Sequence, residues 1–147
     1  MTTVQQGVES ARAGTHMGLI CHVPSGWVVL CDMQYLRGYT ILLPDPVVAS
    51  INSLDRLRRA AYLCDMVTIG DALLEVTDAY RINYVIAGNS DPFLHAHIVP
   101  RYLSEPDEIR RGGPWSYPKE IMDSNLFDYE RDKKLIARLA EAIKKRL

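Results

Sequence analysis

The sequence predicts an α+β fold in which helices pack on an antiparallel β-sheet. Short runs of β-branched and apolar residues occur in neighbouring pairs, which is typical of antiparallel strands. Between the two pairs, and again near the C-terminus, apolar residues recur at the three- and four-residue spacing of a helix face. The 147 residues contain no internal repeat and no linker of biased composition. We therefore expect one domain that spans residues 1–147.

Composition and charge narrow the functional classes. The chain has 17 Lys and Arg against 18 Asp and Glu, so its net charge of -1 argues against a nucleic-acid partner bound through excess positive charge. The three cysteines form no C-x-x-C pair, which indicates reduced thiols in a cytoplasmic protein. No apolar stretch reaches the roughly 18 residues of a membrane span, and the N-terminus lacks a signal-peptide core. We expect a soluble protein with no membrane partner.

The N-terminal half is expected to supply two strands and a long helix. Residues 1–16 show little periodicity and are left open between a few helical turns and a flexible end. The run GWVVLCD from Gly26 and the run GYTILLP up to Pro44 predict two neighbouring strands. Ser53 is a good N-cap for the long central helix that follows. The apolar positions of its predicted inner face are Leu54, Leu57, Ala61, Cys64, Ile69, Leu73 and Val76.

The C-terminal half is expected to supply two more strands and a second helix. The runs YRINYVI and LHAHIVPRY, separated by the turn-forming AGNSDP, predict a second strand pair. Residues 104–118 contain three prolines and two glycines, so we expect an irregular loop there. From Asp132 to Leu147 the apolar spacing predicts an amphipathic C-terminal helix.

Two of the four histidines, His95 and His97, lie two residues apart in the last predicted strand. Because side chains alternate along a strand, both imidazoles are expected on one face, together with Phe93 and Val99. The strand would then present one phenyl and two imidazole rings at the edge of a pocket. The side chains expected on the opposite face, under the helix, are Leu94, Ala96 and Ile98.

The loop before this strand, residues 87–92, has the composition of an anion-binding loop. Gly88 leaves backbone N–H groups accessible, and Asn89 and Ser90 add polar side chains. Such a loop can donate hydrogen bonds to phosphate oxygens without any net positive charge. A histidine nucleophile beside it suits phosphoryl or nucleotidyl transfer.

The segment GNSDPFLHAHIVPRY resembles the active-site segment of the histidine-triad (HIT) superfamily, where three histidines alternate with apolar residues and Pro-Arg often follows. With Pro100-Arg101 as the anchor, His97 matches the third histidine and His95 the middle one. Phe93 stands at the position of the first histidine, which is a departure from the family pattern.

The resemblance extends more loosely over residues 26–102. Asp32 follows the first predicted strand, near the place where the family commonly has a ribose-binding acid or amide. Tyr39 stands where a further histidine often occurs. The resemblance also implies a half-barrel antiparallel sheet and a homodimer that joins two sheets through the central helix and a strand.

The resemblance implies an enzyme that hydrolyses or transfers at the α-phosphate of a nucleotide conjugate, such as a dinucleoside polyphosphate or a nucleoside phosphoramidate. His95 would attack through Nε2 and form a nucleotidyl-histidine, while the carbonyl of Phe93 holds its Nδ1–H. The reaction needs no cofactor, and metal is not required in most members. Six residues are expected to bind the phosphate, the leaving group or the ribose, or to lie beside them: His97, Gly88, Asn89, Ser90, Asp32 and Asn83. Phe93 is expected to form a wall of the pocket.

Other interpretations of these residues stay open. The two histidines alone are equally compatible with structural polar residues, or with a metal site completed by His22, Cys21 or an acid. Arg101 fits either a phosphate contact or a surface ion pair. The aromatic residues of the 104–118 loop, Trp115 and Tyr117, fit a lid or base-stacking surface as well as packing on the sheet.

Two alternatives concern the whole protein. The replacement of the first histidine by Phe93 is compatible with a nucleotide-binding module that lost efficient turnover. A nucleotidyltransferase would use the same first half-reaction and pass the nucleotide to an acceptor other than water.

Overall fold

The structure, a computed structural model, describes all residues 1–147. The strands are Leu19–Val23 (β1), Gly26–Leu30 (β2), Thr40–Pro44 (β3), Arg81–Val85 (β4) and Ala96–Arg101 (β5). The helices are Thr3–Arg12 (α1), Arg56–Val76 (α2), Asp107–Arg110 (α3), Lys119–Met122 (α4) and Tyr129–Lys144 (α5), with a 3-10 turn at Ile51–Ser53. The strands form one antiparallel sheet in the order β1-β2-β3-β5-β4, which confirms the predicted α+β class and antiparallel sheet.

The sheet has two dissimilar faces. One packs against α2 and α5 and contains the main hydrophobic core. The other carries α1, whose Val4 and Val8 pack against Val29 of β2 and Leu43 of β3. Since side chains alternate along each strand, neighbouring residues of β2, β3 and β5 are divided between these faces. Buried members of the main core include Leu42, Ile69, Ile98 and Leu139.

The strand that carries the histidines lies inside the sheet. Helix α2 takes the chain from β3 to the edge strand β4, and β5 then returns between them. His97 lies opposite Ile41 of β3 on one side and Val85 of β4 on the other. A side chain on β5 therefore projects from a backbone that is hydrogen-bonded on both sides.

The central helix begins later, and presents a different face, than the sequence predicts. Asp55, not Ser53, is the N-cap, and its carboxylate accepts the N–H of Arg58 at 2.9 Å. The predicted inner position Leu57 is 82 % exposed, and Cys64 is also exposed, so both assignments were wrong. The reason is that Asp65 points inward, where its carboxylate accepts the N–H and the hydroxyl of Ser25. The residues that α2 buries are Tyr62, Asp65, Met66, Ile69, Gly70, Ala72 and Leu73.

The N-terminal segment forms two elements that the sequence analysis did not predict. Helix α1 begins with a capping box, in which the Thr2 hydroxyl accepts the Gln5 N–H and the Gln5 side chain accepts the Thr2 N–H. Strand β1 pairs with β2 across the two-residue turn at Pro24 and Ser25. Together they cover the sheet on the β2 side and extend it to five strands.

The C-terminal half mostly follows the prediction. Helix α5 begins at Tyr129 with Asp128 as its N-cap, three residues before the predicted start. Within residues 104–118 only the four-residue α3 is helical, and the rest is irregular as predicted. No helix of the chain is both long enough and apolar enough to cross a membrane.

Candidate active site

His95 is held by its own backbone. It lies one residue before β5, and its Nδ1 is 2.8 Å from the carbonyl oxygen of Phe93. A carbonyl oxygen can only accept a hydrogen bond, so Nδ1 is protonated, and in the neutral ring the lone pair is on Nε2. This is the hydrogen bond that the sequence analysis expected. It leaves Nε2 of His95 on the side of the ring away from the Phe93 carbonyl.

His97 lies beside His95, with their ring centroids 4.9 Å apart. Its Nδ1 is 2.6 Å from the hydroxyl oxygen of Tyr39, and its ring meets Trp115 edge to face at 4.9 Å. Burial, and secondarily the nearby His95, lowers the pKa of His97 to about 4. The ring is therefore neutral at physiological pH.

The loop before β5 adds polar groups to the same site. Gly88 has a φ of +74°, a conformation that glycine adopts without strain, and this turns the loop toward the histidines. The side chains of Asn89 and Ser90 are exposed. Asp91 accepts the N–H of Val4 at 2.9 Å and the N–H of Phe93 at 3.2 Å. Its carboxylate thereby joins α1, the loop and the histidine strand.

These groups line one cavity of about 520 Å³, a volume suited to a small molecule. The floor is apolar and comes from β2 and β3, while α1 forms one wall and the 87–91 loop another. The polar lining residues include Asn89, Ser90 and Asp91 of the loop as well as the two histidines. No group of three or more His, Cys, Asp or Glu side chains has the arrangement of a metal site. The sequence-predicted residues that line the cavity are His95, His97, Gly88, Asn89, Ser90 and Asp32.

Two predicted site residues do not line the cavity. The side-chain oxygen of Asn83 accepts a hydrogen bond from Arg101 at 2.8 Å, which turns its amide away from the site. The ring of Phe93 packs into the apolar cluster under α1, beside Val4 and Val8, and is not a wall of the pocket. Burial of the phenyl ring favours this position over a place beside polar imidazoles. Phe93 contributes to the site through its carbonyl group alone.

Arg101 fits neither of the two interpretations left open by the sequence. It is 2 % exposed, and its guanidinium binds the carboxylate of Glu105 and the side chain of Asn83. It also donates to the carbonyl oxygens of Ile109 and Gly112. This buried network holds the irregular segment after β5 against the sheet, at the position where Trp115 reaches the site.

Several residues that line the cavity were not among the predicted site residues. Thr3 and Gly7 of α1 were missed because no helix was predicted there, although the Thr2 capping box is readable in the sequence. His16 lines the cavity and accepts the N–H of Gly18 through Nδ1 at 3.1 Å. No local pattern distinguishes His16 from a surface histidine.

Comparison with known proteins finds similarity to solved structures only. No model of a protein family matches the sequence, and no functionally curated protein matches it. A histidine triad protein from Bradyrhizobium japonicum has 24% identity and a TM-score of 0.68, with 85% of this chain and 89% of that chain covered. One from Marinobacter aquaeolei has 21% identity and a TM-score of 0.71, with 93% and 94% covered. A zinc-bound member from Mycobacterium smegmatis has 18% identity and a TM-score of 0.66, with 98% and 99% covered. The chain therefore has the fold of these histidine triad proteins over most of its length.

Proposed function

We propose that the protein is a histidine-triad nucleotide hydrolase that cleaves at the α-phosphate of a nucleotide conjugate, with His95 as its nucleophile. The observation that carries the proposal is the 2.8 Å hydrogen bond from His95 Nδ1 to the Phe93 carbonyl. It selects the tautomer of the neutral ring that has its lone pair on Nε2, beside a polar loop in a cavity of small-molecule size. The substrate class is a dinucleoside polyphosphate or a nucleoside phosphoramidate.

In the first step, Nε2 of His95 attacks the α-phosphorus. A phosphorus–nitrogen bond forms, the bond from phosphorus to the leaving group breaks, and the leaving group departs with the bonding electron pair. The imidazole becomes a cation, which the carbonyl oxygen of Phe93 stabilises through the Nδ1–H. Backbone and side-chain donors of Gly88, Asn89 and Ser90 stabilise the charge on the non-bridging oxygens.

In the second step, the oxygen of a water molecule bonds to the same phosphorus as the phosphorus–nitrogen bond breaks, and the water gives up a proton to solvent. This releases the nucleoside monophosphate and restores neutral His95. His97 lies beside the reacting centre and binds a phosphate oxygen or the leaving group. Asp32, on the cavity wall after β2, accepts hydrogen bonds from the ribose hydroxyls. Every group in this scheme belongs to the chain itself, so the proposed reaction uses no cofactor.

The proposed enzyme is a homodimer joined through α2 and β4. Positions 63, 67, 70 and 74 share one face of α2, about a third of a turn from the centre of the face that packs on the core. Leu63, Val67 and Leu74 are each about half exposed there. Tyr84 of β4 lies across Gly70, where an added Cβ would collide with its hydroxyl. A continuous apolar stripe of this kind is typical of a protein interface.

The covalent intermediate provides the test of the proposed function. Wild-type protein is mixed with an α-³²P-labelled dinucleoside polyphosphate or nucleoside phosphoramidate and quenched in alkali, because phosphoramidates of histidine survive base and hydrolyse in acid. We expect label on the wild type and on His22→Ala, a control at an exposed histidine outside the cavity. We expect no label and no turnover with His95→Ala.

Four results would contradict the proposal. Label that survives acid and is lost in base indicates an acyl phosphate on a carboxylate. Tight nucleotide binding without label or turnover indicates a binding module. Near wild-type turnover by His95→Ala removes the assigned nucleophile. A product that carries the nucleotide on an added acceptor instead of water identifies a nucleotidyltransferase.

A further inference from the structure

A chain of two hydrogen bonds connects the irregular segment after β5 to His97. The indole Nε1 of Trp115 is 3.2 Å from the hydroxyl oxygen of Tyr39. That oxygen is 2.6 Å from Nδ1 of His97. Tyr39 is fully buried, so its hydroxyl has no access to solvent.

The direction of both hydrogen bonds follows from the groups involved. An indole N–H can only donate, so the Tyr39 oxygen accepts from Trp115. The hydroxyl proton of Tyr39 then needs an acceptor. Nδ1 of His97, at 2.6 Å, is a stronger acceptor than the neutral thiol of Cys31, which also lies beside the hydroxyl. If Nδ1 carried a proton instead, the buried hydroxyl would be left with only the weakly accepting sulfur of Cys31, which is unfavourable. Nδ1 of His97 therefore holds a lone pair, and the ring proton is on Nε2.

The protonation states of the side chains beside His97 agree with this tautomer. Burial raises the pKa of Tyr39 far above its usual range, so the phenol keeps its proton. Burial also raises the pKa of the neighbouring Cys31 thiol to about 11, so the thiol is neutral. The strand neighbours Ile41 and Val85 are apolar, which leaves His95 as the other titratable ring facing His97.

We propose that Tyr39 and Trp115 are positioning residues that hold His97 as the neutral tautomer protonated on Nε2, and so make it a hydrogen-bond donor to the reacting phosphate. Nε2 has no protein partner and is accessible from the cavity. The two histidines are thus held in opposite tautomers. The Phe93 carbonyl leaves a lone pair on Nε2 of His95, and the Tyr39 hydroxyl leaves a proton on Nε2 of His97. The site presents one nucleophile and one donor.

Trp115 takes part in holding this tautomer through its hydrogen bond to Tyr39. Its ring is 42 % exposed, yet its N–H points to the buried phenol. The segment around it is fixed because Tyr35 donates to the carbonyl of Pro114, and Tyr117 donates to Glu105 at 2.7 Å. The donor strength of His97 then depends on the placement of this segment.

The test reads the tautomer directly by two-bond ¹⁵N–¹H NMR of the histidine rings in the ligand-free protein. In the wild type we expect His97 to show a protonated Nε2 and an unprotonated Nδ1, and to stay neutral down to about pH 5. In Tyr39→Phe we expect a mixture of tautomers at His97, with His95 unchanged. Trp115→Phe should weaken the preference less, because the phenol remains. Trp27→Phe, whose indole donates to Asp45, is the matched control and should change neither ring.

Kinetics supply the second readout, and this part depends on the proposed function. Tyr39→Phe should lower kcat by about tenfold or more with little change in KM, because the donor acts mainly on the charge that develops in the transition state. A protonated Nδ1 on His97 in the wild type, or an unchanged tautomer in Tyr39→Phe, overturns the inference. The NMR result stands whether or not His95 becomes labelled, so the failure of one proposal is distinguishable from the failure of the other. Trp115→Phe, altered at a partly exposed ring, provides a second variant should Tyr39→Phe fail to fold.

Discussion

At the scale of single residues, the backbone and the side chain of Phe93 contribute to different parts of the structure. Its carbonyl oxygen holds the Nδ1–H of His95, while its ring packs under α1 with Val4 and Val8. Any residue in this position supplies the carbonyl group. The identity of the side chain matters to the apolar cluster instead.

We expect Phe93→His to change kcat by less than about tenfold, which corresponds to roughly 1.4 kcal/mol in the activation barrier. The new imidazole would occupy the place of the phenyl ring outside the cavity, so it would add no donor to the reacting phosphate. The same change should lower the melting temperature, because a polar ring replaces an apolar one in the cluster. Steady-state kinetics and thermal unfolding measure the two effects.

Phe93→Leu is the control, since it keeps the carbonyl group and apolar bulk and should retain the wild-type kcat. A rise in kcat of a hundredfold or more in Phe93→His would show that a side-chain donor is missing from this position. The protein would then be a weakened enzyme whose main activity is binding.

The sequence correctly predicted that the side chains of His95 and His97 lie together, because residues two apart on a strand share a face. Asn83 was expected to adjoin the site, but the sequence could not show which neighbour its side chain would bind. Arg101, on the adjacent strand, donates a hydrogen bond to the side-chain oxygen of Asn83. Hydrogen bonds of this kind depend on pairing between distant segments, which alternation alone does not specify.

At the scale of elements, the long helices and the strands β2 to β5 were predicted, whereas α1 and β1 were not. Strands β2 to β5, α2 and α5 were found because each repeats its pattern over many residues or lies beside a clear turn. Helix α1 is ten residues long and carries Gly7 at its centre, which weakens its helical pattern. The inner face of α2 was misjudged because the buried Asp65 depends on a partner, Ser25, that is distant in sequence.

The segment after β5 shows how a buried charge can organise an irregular element. We expect Arg101→Met to lower the free energy of unfolding by about 3–5 kcal/mol, because the buried carboxylate of Glu105 loses its partner. Urea unfolding measures the loss. Fluorescence of Trp115 should also shift in the variant as the segment detaches from the sheet.

Arg58→Met is the matched control. Arg58 forms an exposed pair with Asp55 on α2, and its removal should cost less than about 1 kcal/mol. Equal destabilisation by the two variants would mean that the Arg101 network is no more than a surface ion pair.

At the scale of the whole molecule, α2 is apolar on its buried face and also on the neighbouring face, where Leu63, Val67 and Leu74 are exposed. Such a helix is usually buried all round, yet one face of α2 is exposed in the single chain. The proposed homodimer covers this stripe with its copy on a second chain, as a two-fold interface requires.

Val67→Glu tests the dimer, because it introduces a charge at the middle of the stripe formed by Leu63, Val67, Leu74 and Tyr84. Desolvating that charge on association is unfavourable, so we expect the dissociation constant to rise by about a hundredfold or more. Leu57→Glu is the control on the same helix, since Leu57 is 82 % exposed and lies about a third of a turn away from the stripe. Sedimentation equilibrium should show a wild-type and Leu57→Glu dimer and a Val67→Glu monomer at low micromolar concentration. A wild-type monomer, or equal dissociation of both variants, would contradict the assigned interface.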